Sequence, residues 1–319
     1  MEQFLYHILK VVYFYPMKKN ILITGGTGMI GSFLIAMLQE KGYGISILTR
    51  NKKENTKAIL YYTWDIASQK IDANCLTNVV GIIHLAGENV ASGRWNDKRK
   101  KALLESRVAS TELLYKLLSE EEHTVQTFTS ASATGFYGSR TTDITFTEDM
   151  PAATDFLATI CREWEASVAE ISKLGIRTTV LRTGIVLSSH GSALQKMLFP
   201  FQLGLGSPIA SGAQYMPWIH IDDLCKMYVY ALEQSETKGV FNAVSNEAIT
   251  NAQFSKALAK TLKRPFFMPN IPSFILQLIF GEMAIILTTG SKVSSQKITE
   301  TGFEFTYEKL EDAFRDLVG

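Results

Sequence analysis

Residues 21–31 constrain this chain more than any other segment. Ile21-Leu22-Ile23-Thr24 is a short apolar strand that runs directly into Gly25-Gly26-Thr27-Gly28-Met29-Ile30-Gly31. Ile30, Phe33, Leu34, Met37 and Leu38 then recur at helical spacing, and Gly42 ends the predicted helix. Between a strand and a helix, glycines at 25, 28 and 31 have separate uses: a tight turn, close approach of backbone to a pyrophosphate, and close helix–strand packing. The helix N-terminus adds unpaired N–H groups and a positive partial charge for the phosphates. The glycine spacing alone is a weak sign. Its place between strand and helix makes it a dinucleotide site, with Gly25, Thr27, Gly28, Met29, Ile30 and Gly31 as the binding segment.

Further strands are predicted at 45–49, 59–63, 79–85, 125–129 and 177–182, with long helices at 96–119 and 154–174. On the first of these helices Leu103, Leu104, Val108, Leu113, Leu114 and Leu117 face inward, and Lys98 to Lys101 read as a solvated face. Each parallel crossover needs an intervening helix, so this alternation predicts an α/β fold, a doubly wound Rossmann sheet covered on both faces. The rhythm breaks after residue 184. The expected organisation is an extension at 1–17, a dinucleotide-binding domain at 18–183, and a smaller mixed substrate lobe at 184–319 with its own C-terminal segment from about 268. The opening run is apolar, but His7 and Lys10 interrupt it, Pro16 closes it, and it lacks a signal-peptide cleavage site. Met17-Lys18-Lys19-Asn20 looks like a natural start, so residues 1–17 read as an upstream extension or a misassigned start.

Composition narrows the function classes. Hydrophobic residues at 46% and charged residues at 20% exclude global disorder. Lys plus Arg at 32 against Asp plus Glu at 31 leaves no electrostatic footprint for nucleic acid. Cys75, Cys161 and Cys225 are too far apart for a CxxC metal or redox motif; no metal site is expected, and the compartment reads as reducing and cytoplasmic. Pro272, Gln277 and Glu282 interrupt the longest apolar stretch, 271–289, which reads as buried helices rather than a membrane span.

The end of the second strand selects the cofactor. An acid there would bind the ribose 2′-hydroxyl of NAD, whereas an arginine pairs with the 2′-phosphate of NADP. The chain reads Thr49-Arg50-Asn51-Lys52-Lys53, so NADP is expected over NAD, with Arg50 as discriminator. Asp65 is placed to face the adenine amino group or to close a turn. Leu85, Ala86 and Gly87 let the backbone run beside the cofactor, and Glu88 is placed to accept from a ribose. Arg94 is read as meeting an anionic group or packing on Trp95, and His84 as a satisfied core histidine.

With these pieces placed, the chain resembles an atypical short-chain dehydrogenase/reductase of the NAD-dependent epimerase/dehydratase superfamily, the branch called epimerase family proteins. The resemblance covers residues 18–319. It rests on the glycine motif, His84-Leu85-Ala86-Gly87-Glu88-Asn89, Ser130 to Gly138 (SASATGFYG), Pro217 to Leu224 (PWIHIDDL), and the segment around Phe280-Gly281-Glu282 and Ser291-Lys292-Val293. It implies a Rossmann domain binding NADP or NAD, a substrate lobe, and a monomer or homodimer acting on a small molecule.

Sugar epimerases of this superfamily use a Ser or Thr, a Tyr, and a Lys four residues after the Tyr. Ser132 matches the Ser. In the expected helix the matching pair is Leu157 and Cys161, and no Tyr-x-x-x-Lys exists there. Three explanations follow. Tyr137 replaces the proton donor, Glu165 or Glu163 does the acid/base work or orients the ribose, or the protein binds cofactor without turnover. Cys161 reads as packing, and Asp222 as a helix cap beside His220. Two functions stand: an NADP-dependent oxidoreductase or epimerase-like enzyme acting on a small polar metabolite, or a non-catalytic NADP-binding redox sensor or interaction protein.

Overall fold

The computed structural model describes residues 19–191 and 193–319, so the expected extension at 1–17 lies outside the described residues. The strands in chain order are β1 (Asn20–Thr24), β2 (Gly44–Thr49), β3 (Ile59–Asp65), β4 (Lys70–Ile71), β5 (Val79–His84), β6 (Thr127–Ala133), β7 (Thr145–Phe146), β8 (Arg177–Thr183), β9 (Ile185–Leu187), β10 (Trp218–His220), β11 (Gly239–Ala243) and β12 (Lys292–Val293). The main sheet runs β11-β8-β6-β5-β1-β2-β3-β4 and is parallel throughout except for the short antiparallel edge strand β4. Chain order reverses between β1 and β5, and an open parallel sheet binds its ligand in the crevice at such a reversal.

The longer helices up to residue 280 are α1 (Met29–Glu40), α2 (Asp97–Glu120), α3 (Phe156–Ser172), α4 (Ala193–Gln202), α5 (Ile221–Glu233), α6 (Asn251–Thr261) and α7 (Ser273–Phe280). Because strand side chains alternate, Ile21 and Ile23 of β1 pack with α1 and α5 on one face, while Leu22 packs with α2 and α3 on the other. Both faces are covered, so the central strands read as continuous apolar runs.

The sheet does not stop at residue 183, where the first domain is expected to end. Strand β11 pairs with β8, and α5 packs on the same sheet, so the lobe region supplies a parallel strand and a covering helix. Gly239-Val240-Phe241-Asn242-Ala243 is too short and too weakly patterned to announce this from sequence. A separate hydrophobic cluster gathers Trp218, Phe254, Leu258 and Phe314 from the later part of the chain, and the β7–β12 pair ties the C-terminal segment to the first half of the chain.

The stretch 271–289 departs from expectation. Of α7, only Leu276 is buried. Among the described residues no helix is long and apolar enough to cross a membrane.

Candidate functional site

At the reversal point the glycine turn meets the end of β5 backbone to backbone. Gly25 has φ +68°, and a Cβ there would lie 2.8 Å from the Leu85 carbonyl carbon. A Cβ on Gly31 would lie 2.6 Å from both the Gly25 carbonyl oxygen and the Gly26 Cα. Gly28 N–H donates to the Gly25 carbonyl at 2.9 Å, closing the turn. The first turn of α1 carries neither a side-chain cap nor an acid, which leaves its N–H groups free to meet an anion.

A cavity of about 360 Å³ opens over this turn, lined by Gly25, Thr27, Gly28, Thr49, Arg50, Leu85, Ala86, Gly87 and Glu88. Ser106, Lys53, Trp64 and Ile66 also line it. Met29, Ile30 and Gly31 stand behind the wall in the first turn of α1, where they contribute backbone. Arg50 is largely exposed and, among the described residues, pairs only with Glu88, at 3.4 Å. Glu88 also holds Arg99 at 3.1 Å, and its backbone is fixed by Ser106 Oγ and the Arg107 guanidinium.

His84 anchors this loop from below. Thr24 Oγ1 accepts the N–H groups of Leu85 and Ala86, so its own proton goes to His84 Nδ1 at 2.7 Å. The Nε2–H then faces the hydroxyls of Ser110 and Thr111, both at 3.2 Å. Burial, helped by the Arg107 charge, pushes the imidazole pKa down to about 3. The ring is neutral and fully partnered, as a core histidine should be.

A second polar group crosses three strands. Ser132 pairs in register with Arg182 of β8, and Arg182 with Asn242 of β11. Neighbours in a parallel register share a face, so these side chains form one row at the C-terminal end of the sheet. Glu165 of α3 drops onto that row. Ser132 Oγ donates to Glu165 Oε1 at 2.6 Å, and Arg182 clamps the carboxylate with Nε to Oε1 at 2.9 Å and Nη2 to Oε2 at 2.8 Å. Arg182 Nη1 also donates to the Tyr137 hydroxyl at 3.0 Å, which donates in turn to Asn242 Oδ1 at 2.7 Å. The Arg182 guanidinium lies 3.3 Å from the Phe136 ring centroid, stacked on its face. Burial works against the Arg182 charge, but the hydrogen bonds and charge of Glu165 outweigh it and raise the guanidinium pKa.

Three expected roles change, and the alternative left open for Asp65 is decided. Tyr137 is fully buried with its hydroxyl held between Arg182 and Asn242, and burial raises its pKa, so it presents no acidic proton to a crevice. Arg94 donates to the Leu278 and Ile279 carbonyls, capping the C-terminal end of α7 rather than meeting an anion. Asp65 accepts from Ala67 N, Ser68 N and Ser68 Oγ; it closes a turn and is absent from the cavity wall. The cap of α5 is the His220 ring, which accepts from Asp222 N, not the Asp222 carboxylate.

Of the basic run on α2, Arg99 and Lys100 are engaged with Glu88 and Glu282, and Lys101 pairs with Glu105. Cys161 is buried, its thiol pushed up to about 12 chiefly by desolvation, which suits packing. Leu157, at the position where a catalytic tyrosine is expected, lines a second cavity of about 540 Å³ with Trp95, Phe156, Ile285, Gln277 and Glu282. Ser106 and Asn242 lie outside every sequence motif; strand pairing and helix packing alone bring them in.

A doubly wound sheet with a glycine cradle at its reversal point and a polar row one strand further on defines a dinucleotide-binding class of α/β protein. Comparison with known proteins narrows it: residues 21–243 match the NAD dependent epimerase/dehydratase family, and the chain belongs to that family. Residues 271–317 match a further family, described as a domain of unknown function (DUF1731). Over 303 residues the chain is 36% identical to the mouse epimerase family protein SDR39U1, covering 94% of this chain and 99% of that one. The epimerase family protein YfhF of Bacillus subtilis (strain 168) is 33% identical over 300 residues, covering 94% and 98%. Among solved structures, human SDR39U1 (isoform 2) with NADPH superimposes with a TM-score of 0.82 at 32% identity, over 93% of this chain and 98% of that chain.

Proposed function

We propose that the chain is an NADP-dependent oxidoreductase or epimerase-like enzyme in which Ser132 and Glu165 handle the proton. The observation that carries this reading is the hydrogen-bonded Ser132–Glu165–Arg182 array at the C-terminal end of β6. The cradle fits a dinucleotide, because added Cβ atoms at Gly25 and Gly31 would meet backbone. The largely exposed guanidinium of Arg50 at the end of β2 fits a 2′-phosphate. The NADPH bound to the human relative is in keeping with this choice. When bound, the nicotinamide supplies or accepts the hydride.

Glu165, clamped by Arg182 through both oxygens, is held as an acceptor for the Ser132 proton. A substrate hydroxyl donating to Ser132 Oγ can pass its proton there as the Ser132 proton moves to Glu165 Oε1. Tyr137 and Asn242 are positioning residues that hold the far side of Arg182. The substrate body occupies the cavity walled by Trp95, Phe156, Leu157 and Ile285, where Asp155, Gln277 and Glu282 supply polar contacts for a small polar metabolite. No Lys or Arg is among its lining residues, which disfavours a diphosphate-bearing sugar.

A second reading, cofactor binding without turnover, draws on Leu157 at the tyrosine position and on the burial of Tyr137. One experiment separates the two. NADPH deuterated at the transferable position is incubated with the protein and a pool of cell metabolites, and the label is followed by mass spectrometry. The enzyme reading expects deuterium in a metabolite, and transfer at least 100-fold slower in Glu165→Gln with NADPH affinity within about twofold. Label that stays on bound NADPH throughout favours the sensor reading.

A further inference from the structure

Among the described residues, every exposed large hydrophobic side chain except Ile144 falls in two segments, 199–205 and 267–279. Phe199, Leu203, Phe267, Phe274 and Leu278 are each between 59 and 75% exposed. The segments are neighbours in space. A Cβ on Gly204 would lie 3.2 Å from Pro265 Cγ, Ile271 N–H donates to the Pro208 carbonyl at 2.9 Å, and Ala210 N–H returns a bond to the Ile271 carbonyl. The chain then enters α7, whose sequence SFILQLIF carries no charge and buries only Leu276. A helix apolar all round that is left uncovered marks a binding face, not a core element.

The two segments that form this face, and their flanks along the chain, carry charge of one sign. No Asp or Glu occurs in 171–221 or in 248–281. Lys196, Lys263 and Arg264, exposed beside the patch, have no ion-pair partner among the described residues, whereas Lys260, further along, pairs with Glu311. Glu282, just past α7, is held by Lys100. A second copy of this chain docking patch to patch would bring these cations together with no acid from either segment between them. An anionic lipid surface suits both halves of the pattern, taking the apolar side chains below its headgroups and the cations at their level. At 8 residues, α7 is about 12 Å long and fits lying in the interface, not spanning the bilayer.

We propose that the face formed by α7 and the 199–205 segment is a peripheral docking surface for anionic membranes. The test is co-sedimentation of the full chain with vesicles of phosphatidylcholine alone or with about 30% phosphatidylglycerol. The expected result is at least about tenfold more binding to the anionic vesicles, weakened by 0.5 M NaCl. The double variants Phe274→Ser/Leu278→Ser and Lys263→Glu/Arg264→Glu each lose at least about tenfold, while their NADPH titrations and thermal melts match the parent. All four side chains are exposed, so these substitutions leave the core intact. Absence of vesicle binding overturns the proposal, as does equal binding to both vesicle types. Binding that ignores both double variants overturns the assignment to this face. A dimer on size-exclusion chromatography that Phe274→Ser/Leu278→Ser dissociates, with no vesicle binding, assigns the face to a second copy instead.

Discussion

The glycine cradle at 25–31 and the polar row at 132, 182 and 242 sit at the same end of the same sheet and are built in opposite ways. The cradle is made by consecutive residues whose backbone takes the only path the glycines permit; its closest approaches are backbone to backbone. The row takes one residue from each of three strands and Glu165 from a helix, and no two of its members are within ten positions of each other. The cradle should therefore respond to added volume and hardly at all to lost charge. The row should do the reverse.

The sharpest test of this contrast is Arg182→Met. Removing the guanidinium leaves the mostly buried Glu165 carboxylate with no cation and only the Ser132 hydroxyl, and breaking such a pair costs up to about 3–5 kcal/mol. Urea unfolding should show that loss while NADPH affinity of the folded fraction stays near the parent value. A melting curve unchanged by the substitution would show that the row is not what holds α3 to β8.

Gly31→Ala adds one methyl against backbone that cannot yield, so it should cost up to about 3 kcal/mol and weaken NADPH binding at least about tenfold. Fluorescence titration with NADPH beside a thermal melt measures both. An alanine tolerated without loss of affinity would remove the reason given for that glycine.

His84 lies between the two regions and makes the cradle pH-sensitive through the fold. Its folded pKa, about 3, is below the unfolded value of about 6.5. The unfolded chain therefore takes up a proton that the folded chain refuses, and stability present above pH 6.5 is lost as pH falls toward 3, by about 2 kcal/mol at pH 5. Urea midpoints from pH 7 to 5 should fall more steeply in the parent than in His84→Gln. Parallel slopes would mean the imidazole is not held neutral.

The smallest effect is expected at the rim. Arg50→Ala should weaken NADPH about tenfold and leave NADH unchanged, the size of one charge-assisted contact to a phosphate. Arg94→Ala and Asp65→Ala, whose side chains serve a helix end and a turn, should leave both cofactors within about twofold. Isothermal titration with the two cofactors checks all three variants.

Legibility followed the range of the interactions. The strand-turn-helix at 21–40 and the long helices on one face could be read because their signals, glycine spacing and apolar period, are local. Arg94 was misplaced because a guanidinium near a crevice can turn to a backbone partner instead, and of the two uses left open for Asp65 only the packed structure selects the turn. Tyr137 was misassigned for the same reason: proximity to Ser132 along the chain says nothing of a hydroxyl enclosed between Arg182 and Asn242.

By itself the sequence determined a parallel sheet with a dinucleotide cradle and the absence of Tyr-x-x-x-Lys, since both are written in contiguous residues and need only backbone sterics and periodicity to be read. Only the tertiary structure decided that β11 completes the sheet, that Glu165 meets Ser132 under the Arg182 clamp, and that the described residues leave α7 uncovered. Strand register and helix docking fix those contacts, and they depend on residues from 17 to 105 positions apart being packed against one another at once.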